Sequence, residues 1–350
     1  MLIAEAIKKA VDCNDLTVDE AESVLEQIMT GQATDAQIAA LLTALRMKGE
    51  TADELTGFAR VMRRKAAPVR PRSMVNAAMG GTEREALIDT CGTGGDVSGS
   101  FNVSTATAFV VAGCGVRVAK HGNRSVSSRC GSADVVEALG VKIELSPDRI
   151  SSSIDEVGIG FLHAPLLHEA MKYVAPARKQ MGIRTVFNML GPLTNPAGAN
   201  AQVIGVYAGH LTELLAEVLG ALGTRRALVV HGADGLDEIS VTSESKITEL
   251  REGGITTYAV RPEDFGIPRA SLKDIQGGDA EENARIILEV LQGTPGPRRD
   301  IVLMNAAAAL VASSKVEGFQ EGIAAATESI ESGKAMAKLQ SLIEFTNSPA

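Results

Sequence analysis

The chain has no tryptophan and only three tyrosines and eight phenylalanines among its 350 residues. So few rings leave little with which to stack exposed bases, and a net charge of −9 repels polyanions at long range, so no nucleic-acid partner is expected. The four cysteines, Cys13, Cys91, Cys114 and Cys130, form no C-x-x-C pair and follow no secretory peptide. That pattern speaks against a disulfide framework or a zinc knuckle and for a cytoplasmic location. The most apolar late run, Ile301 to Ala312, is too short for a bilayer and carries Asn305, so no membrane span is expected. What the chain does hold is 45% hydrophobic residues and 35 glycines, enough for one large or two smaller folded units with many tight loops.

The first 70 residues are punctuated by three capping boxes, Thr17 with Glu20, Thr34 with Gln37 and Thr51 with Glu54, which predict helices starting near 18, 35 and 52. Val18, Ala21, Val24, Leu25, Ile28 and Met29 form one apolar stripe, and Ile38, Leu41, Leu42 and Leu45 another, with turns at Gly31 and Gly49. The second of these helices has apolar residues to spare, Ala39, Ala40 and Met47, which fit either a second subunit or interior packing. Beyond Pro71, strand-like runs at 87–89, 116–119, 141–145, 159–163, 203–207 and 228–231 alternate with helical patterns, and 246–260 reads as a hairpin turning at Gly253 and Gly254. Such alternation predicts a mostly parallel sheet covered by helices on both faces, with ligands beyond the carboxyl ends of its strands.

Three segments fall on that predicted rim. Gly92-Thr93-Gly94-Gly95-Asp96 follows the first strand and leads to a helix beginning near Asn102, where freed backbone amides and a helix N-terminus suit phosphate oxygens. A dinucleotide fingerprint would need glycine at Val97, and a P-loop would need lysine at Ser100, so neither is indicated. From Val97 to Ala133 there is no Asp or Glu, yet Arg117, Lys120, Arg124, Arg129 and His121 are present with many Ser, Thr and Asn donors. In an acidic chain this local reversal of sign points to a multiply charged phosphate compound. Asp234-Gly235-Leu236-Asp237-Glu238 follows the last parallel strand; Asp237 and Glu238, with the hydroxyl of Ser104, suit two magnesium ions, although the same residues also read as a turn with helix-capping acids. Arg178 and Lys179, near the end of a helical excursion from residue 162 to Gly182, are placed either to grip a carboxylate or simply to face solvent.

Taken in order, GTGGD at 92–96, FNVST at 101–105, KHGNRSVSS at 120–128, GSADVVEALG at 131–140, the run from Arg178 to Pro196 and DGLDE at 234–238 resemble the anthranilate phosphoribosyltransferases of tryptophan biosynthesis over essentially the whole length. The resemblance implies an α/β fold: a small all-helical domain (1–72 with 165–187) plus a large α/β domain (73–164 with 188–350) with a mostly parallel central sheet flanked by helices. It also implies a homodimer through the helical domain. It implies transfer of a phosphoribosyl group from phosphoribosyl pyrophosphate to the amine of anthranilate. The donor would contact Gly92, Gly95, Asp96, Ser100, Asn102, Val103, Ser104, Thr105, Lys120, His121, Gly122, Asn123, Arg124, Ser125, Val126, Ser127, Ser128 and Ser132. Gly92, Asn123 and Arg178 would contact anthranilate, and Ser104, Asp237 and Glu238 would hold magnesium. Lys120 would stabilise the departing pyrophosphate, Arg178 would close over the site, and His121 is the nearest titratable side chain, suited to proton transfer or to packing. The chain departs from the family at Ser100, usually threonine, and at Cys130, commonly serine and here a thiol open to reagents. The same architecture also serves pyrimidine nucleoside phosphorylases and noncatalytic nucleic-acid-binding relatives, which are the rival readings.

Overall fold

The computed structural model describes residues 1–72, 86–94, 99–125 and 129–349. Helices α1 (Ile3–Val11), α2 (Val18–Met29), α3 (Asp35–Lys48) and α4 (Ala52–Lys65) open the chain. All three sequence-predicted helices start where their capping boxes place them: Thr17, Thr34 and Thr51 each accept the backbone N–H three residues on, and Glu20, Gln37 and Glu54 return the bond. The expectation of only three helices is corrected by α1. Its N-cap is Leu2, which has no side-chain acceptor, so only the Glu5 carboxylate, accepting the Leu2 N–H, marks its start. Of the surplus apolar residues on α3, Met47 is 83% exposed.

The rest of the fold is one seven-stranded sheet in the order β3-β2-β1-β4-β5-β6-β7. Strands β1 (Leu87–Gly92), β2 (Arg117–Gly122), β3 (Ile159–His163), β4 (Ala201–Gly205) and β5 (Arg226–Gly232) are parallel. β6 (Ser245–Arg251) and β7 (Gly254–Val260) close the edge as an antiparallel hairpin. That hairpin turns on Glu252 and Gly253, at φ 49° and 84°, one residue earlier than predicted; both central residues left-handed is the twist-matched two-residue turn. The predicted strand at 141–145 does not form. Its apolar residues alternate, but the Lys142 N–H goes to Thr346 Oγ1 in a C-terminal helix, so the segment joins no ladder.

Side chains on successive residues of the central strands enter different cores, as a period of two requires. Val203, Leu228 and Val230 pack with α5 (Val103–Gly113) and with helices of the C-terminal half on one face, whereas Ile204, Val206, Ala227 and Val229 pack on the other face with residues of α1 to α4. The apolar run noted at 301–312 is the buried body of a helix spanning Pro297–Ala312, and no helix among the described residues is long and apolar enough to cross a membrane. On the opposite face the Arg63 guanidinium donates to the carbonyls of Leu193 and Leu222, fastening α4 to two helix ends beside the sheet.

Inside the helical unit, Glu54 is fully buried and accepts from the Leu16 and Thr51 amides and from Lys48 Nζ at 3.0, 2.9 and 3.1 Å. Glu54→Ala would strand two amides and take one of two carboxylates from Lys48, which keeps Asp15 at 2.6 Å. It should therefore cost about 3–5 kcal/mol of stability in a chemical denaturation curve; a loss below about 1 kcal/mol would show that this node does not hold the helices together.

Candidate active site

The strand order runs outward in both directions from β1 and β4, and in such sheets the crevice lies where the order reverses, at the carboxyl ends. There Gly92 and Gly205 stand opposite one another in register, and the connection after β5 folds back across both. A Cβ on Gly92 would lie 2.3 Å from Asp237 Oδ2, and one on Gly205 only 1.5 Å from the Asp237 carbonyl, so both positions must be glycine for the acid to lie this close. Asp237 Oδ2 accepts the Gly94 N–H at 3.1 Å, tying the glycine loop to the acidic turn. Asp234 serves the turn itself, accepting from the Ser240 and Thr242 hydroxyls and the Leu236 amide. Buried Asn305 clamps the residue after Glu238, accepting the Ile239 N–H and donating to the Ile239 carbonyl, both at 3.0 Å. Nothing in the sequence pattern marks Asn305, which reads there only as a polar interruption of an apolar run.

Lys120 comes up through β2 and is 3% exposed. Its ammonium donates to the Thr90 carbonyl and, at 3.1 Å, to Ser104 Oγ at the start of α5. Asp89 supplies the nearby negative charge. Burial raises its carboxyl, against the pull of Lys120, of Asn195 Nδ2 at 2.8 Å and of the His121 N–H at 3.2 Å. The Cys91 thiol is pushed well up by burial and by the negative charge of Asp89. Lys120 and Gly92 lie toward the carboxyl ends of adjacent parallel strands, and Asp237, against Gly92, brings the acidic turn to the same rim. Asp89 ends a run read only as a strand and Asn195 lies 106 residues away, so their pairing carries no local signal.

His121 follows on β2 and faces His168 at a ring-centroid distance of 5.2 Å. Burial, and then the neighbouring His168, lower His121 to about 3. Burial lowers His168 to about 4. Both rings are neutral at ordinary pH, and each has a buried Nε2 without a hydrogen-bond partner. Helix α9 (Ala175–Met181), which follows α6 (Ser132–Ala138), α7 (Pro147–Glu156) and the single turn α8 (Ala164–Leu167), carries Arg178. Its guanidinium lies 5.4 Å from the Phe187 ring centroid and is eased downward in basicity by burial.

At the end of β2, Gly122 is packed so closely that a Cβ would meet Ser132 Oγ at 2.2 Å. Asn123, Arg124 and Ser125 follow it onto the rim, with the Arg124 guanidinium paired to Asp134 and Glu137. Asn102 caps no helix amide with its side chain; it donates to the Cys130 carbonyl and accepts from Asn283. Val103 and Thr105 are buried in the first turn of α5, and Ser100 joins the Gln276 backbone in an isolated bridge. Cys130 is buried, and burial pushes its thiol up to about 11, which disfavours the thiolate that reagents attack. Gly95, Asp96, Val126, Ser127 and Ser128 lie outside the described residues.

The neutral histidine pair gives stability a pH dependence of known sign. Unfolded, both imidazoles take up protons near 6.5; folded, only near 3 and 4. Stability is thus fully present above pH 6.5 and falls as pH drops toward 4, because the unfolded chain then binds more protons. The unfolding free energy should drop more steeply between pH 7 and 5 for the parent chain than for a His121→Asn, His168→Asn double variant; equal slopes would show that the rings are not held neutral.

Comparison with known proteins agrees with this arrangement. Residues 4–66 match the helical bundle domain of a glycosyl transferase family, and residues 84–336 match its a/b domain. The chain is 55% identical over 99% of both lengths to anthranilate phosphoribosyltransferase of Moorella thermoacetica. The crystal structure of the Thermus thermophilus anthranilate phosphoribosyltransferase, 43% identical, superposes with a TM-score of 0.90 over 98% of this chain and 99% of that one. The Saccharomyces cerevisiae enzyme in complex with PRPP and Mg, 28% identical, does so with a TM-score of 0.88 over 99% and 98%. The chain belongs to this glycosyl transferase family, and within it to the anthranilate phosphoribosyltransferases.

Proposed function

We propose that the chain transfers the 5-phosphoribosyl group of phosphoribosyl pyrophosphate to the amine of anthranilate: the bond from the anomeric carbon to pyrophosphate breaks, a carbon–nitrogen bond forms, and the amine loses a proton. The observation that carries this reading is the meeting of Gly92, Ser104, Lys120 and Asp237 at the one place where the strand order reverses. Amides from the glycine loop and hydroxyls at the head of α5 suit the donor's phosphates, and the ammonium of Lys120 stabilises the leaving anion. Ser100, Asn102, Val103, Ser104 and Thr105, with Gly122 to Ser125 and Ser132, line the donor side in this reading, together with Gly95, Asp96 and residues 126–128. Asn123 and Arg178 take the anthranilate carboxylate and ring. The neutral His121 and His168 form an apolar, poorly hydrated wall there rather than a proton acceptor, since a ring that protonates only near 3 or 4 is a weak base.

Asp237, Glu238 and Ser104 present hard oxygen donors, and the described residues hold no group of three or more His, Cys, Asp or Glu that would cage a metal alone. That donor set fits magnesium, which keeps waters and is commonly shared with substrate phosphates, and would supply charge neutralisation on the departing pyrophosphate. We place two ions there. We also divide the chain into a helical domain, 1–72 with 165–187, and an α/β domain, 73–164 with 188–350, in a cytoplasmic homodimer joined through the helical domain, where Met47 and Leu2 stand exposed.

Fluorescence loss of anthranilate with phosphoribosyl pyrophosphate and magnesium tests the activity directly; no turnover there, with turnover of uridine and phosphate instead, would replace this reading. Asp237→Asn with Glu238→Gln should lower kcat by about a hundredfold or more and flatten the magnesium dependence. Arg178→Ala should raise the anthranilate KM about tenfold with the donor KM nearly unchanged; equal effects on both would move Arg178 away from the acceptor side.

A further inference from the structure

The segment after β2 carries only cationic and neutral side chains, yet its shape is set by a carboxylate just beyond it. Asp134, in the first turn of α6, accepts the Ser125 N–H at 3.0 Å and the Gly131 N–H at 2.8 Å on a single oxygen, Oδ2. Its other oxygen takes Arg124 Nη1 at 3.1 Å. The two limbs also meet directly: the Asn123 carbonyl accepts the Ala133 N–H at 3.1 Å and the Ser132 hydroxyl at 3.4 Å. Gly131 lies flat against the opposite limb, so a Cβ there would stand 2.3 Å from Ser125 N and 2.6 Å from the Asn123 carbonyl oxygen. Burial alone would raise the Asp134 carboxyl, but the two amides and Arg124 more than offset it and hold it below the usual carboxylate value.

A carboxylate satisfied in this way is a cross-tie. It joins Ser125 to Gly131 through their main-chain amides, and it turns the Arg124 side chain back along α6. We propose that Asp134 is a positioning residue of the donor site, the tie that sets Ser125 at the carboxyl end of β2 without itself touching substrate, while Asn123 keeps its own bonds to Ala133 and Ser132. The inference rests on the phosphoribosyl-donor reading of that loop. Because the tie acts on the limb that the donor contacts, its loss acts on donor binding before it acts on turnover.

In Asp134→Asn the charge facing Arg124 is lost and a single acceptor oxygen remains, which can serve the two N–H groups or Arg124 but not both sides of the tie. The donor KM should rise about tenfold, with kcat and the anthranilate KM within about twofold and the thermal midpoint within a few degrees. Hydrogen exchange of the peptide covering residues 123–131 should quicken in the free enzyme, a readout independent of activity. Gly131→Ala, which forces the same neck open while leaving Asp134 in place, should give the same donor KM change. If both act on one tie, the double variant should show less than the product of the single effects. Unchanged donor KM in a well-folded Asp134→Asn, equal loss in both KM values and kcat, or a double variant equal to the product of the singles would each overturn the proposal. Loss of the tie is read against the parent chain; a parent that consumes no anthranilate with phosphoribosyl pyrophosphate overturns the donor reading, and with it this inference, whereas an active parent with faster exchange but unaltered donor KM overturns the positioning role alone.

Discussion

Lys120 imposes the constraint on which the site depends. An ammonium taken out of water needs a counter-charge and acceptors in fixed places, and in this chain they come from two other elements: Asp89 and the Thr90 carbonyl on β1, and Ser104 at the head of α5. That requirement fixes the relation of β2 to β1 and of both to the helix. Asn195 strengthens it from the far side of the sheet by donating at once to Asp89 and to the Ala119 carbonyl, so the residue beside Lys120 and its counter-charge are held by one amide. A network satisfied in this way is rigid, and rigidity is what allows a charge to be kept ready for an anion that is not yet there.

The acidic half of the site obeys a steric rule rather than an electrostatic one. Asp237 reaches the rim only because positions 92 and 205 lack a side chain, and Asn305 then fixes Ile239, two residues on, from the apolar body of a helix. The separation of sign along the chain, with no acid between Val97 and Ala133 and the doublet more than a hundred residues later, is thus converted into proximity by topology. Opposite charges placed far apart in sequence but adjacent at a strand-order reversal suit a ligand that is itself an anion carrying cations.

What could be read from the sequence were the features with local chemistry. Capping threonines announce their helices because the bond they make lies within three residues, and glycine clusters after strands announce rim loops because the backbone has to bend there. Asp89, Asn195 and Asn305 were silent for the opposite reason: each acts through groups that only the fold brings near, and an isolated Asp or Asn has no spacing to reveal it. The segment at 141–145 misled because alternating burial does not require a neighbouring strand; a helix end can take the amide instead. Helix α1 was missed because its first turn is satisfied without a capping side chain at the N-cap itself.

The contrast between the two sides of the crevice follows from what each must do. A donor rich in phosphate, as proposed above, calls for amides, hydroxyls and cations, and Gly94, Ser104 and Lys120 offer one of each near the ends of β1 and β2. An aromatic amine is already a nucleophile, so its side of the site has no need of a strong base but does need to keep water away from an electron-poor ribose carbon. His121 and His168 suit that task because burial keeps both rings uncharged, and an uncharged ring holds fewer waters than an imidazolium. Val174, Ala177 and Phe187 belong to one continuous apolar cluster with residues of α2, α3 and α4, so Arg178 stands on a helix packed from behind rather than on a free loop. A guanidinium supported in that manner can meet a carboxylate without first surrendering much side-chain freedom, which favours recognition of a flat, rigid acid over a flexible one.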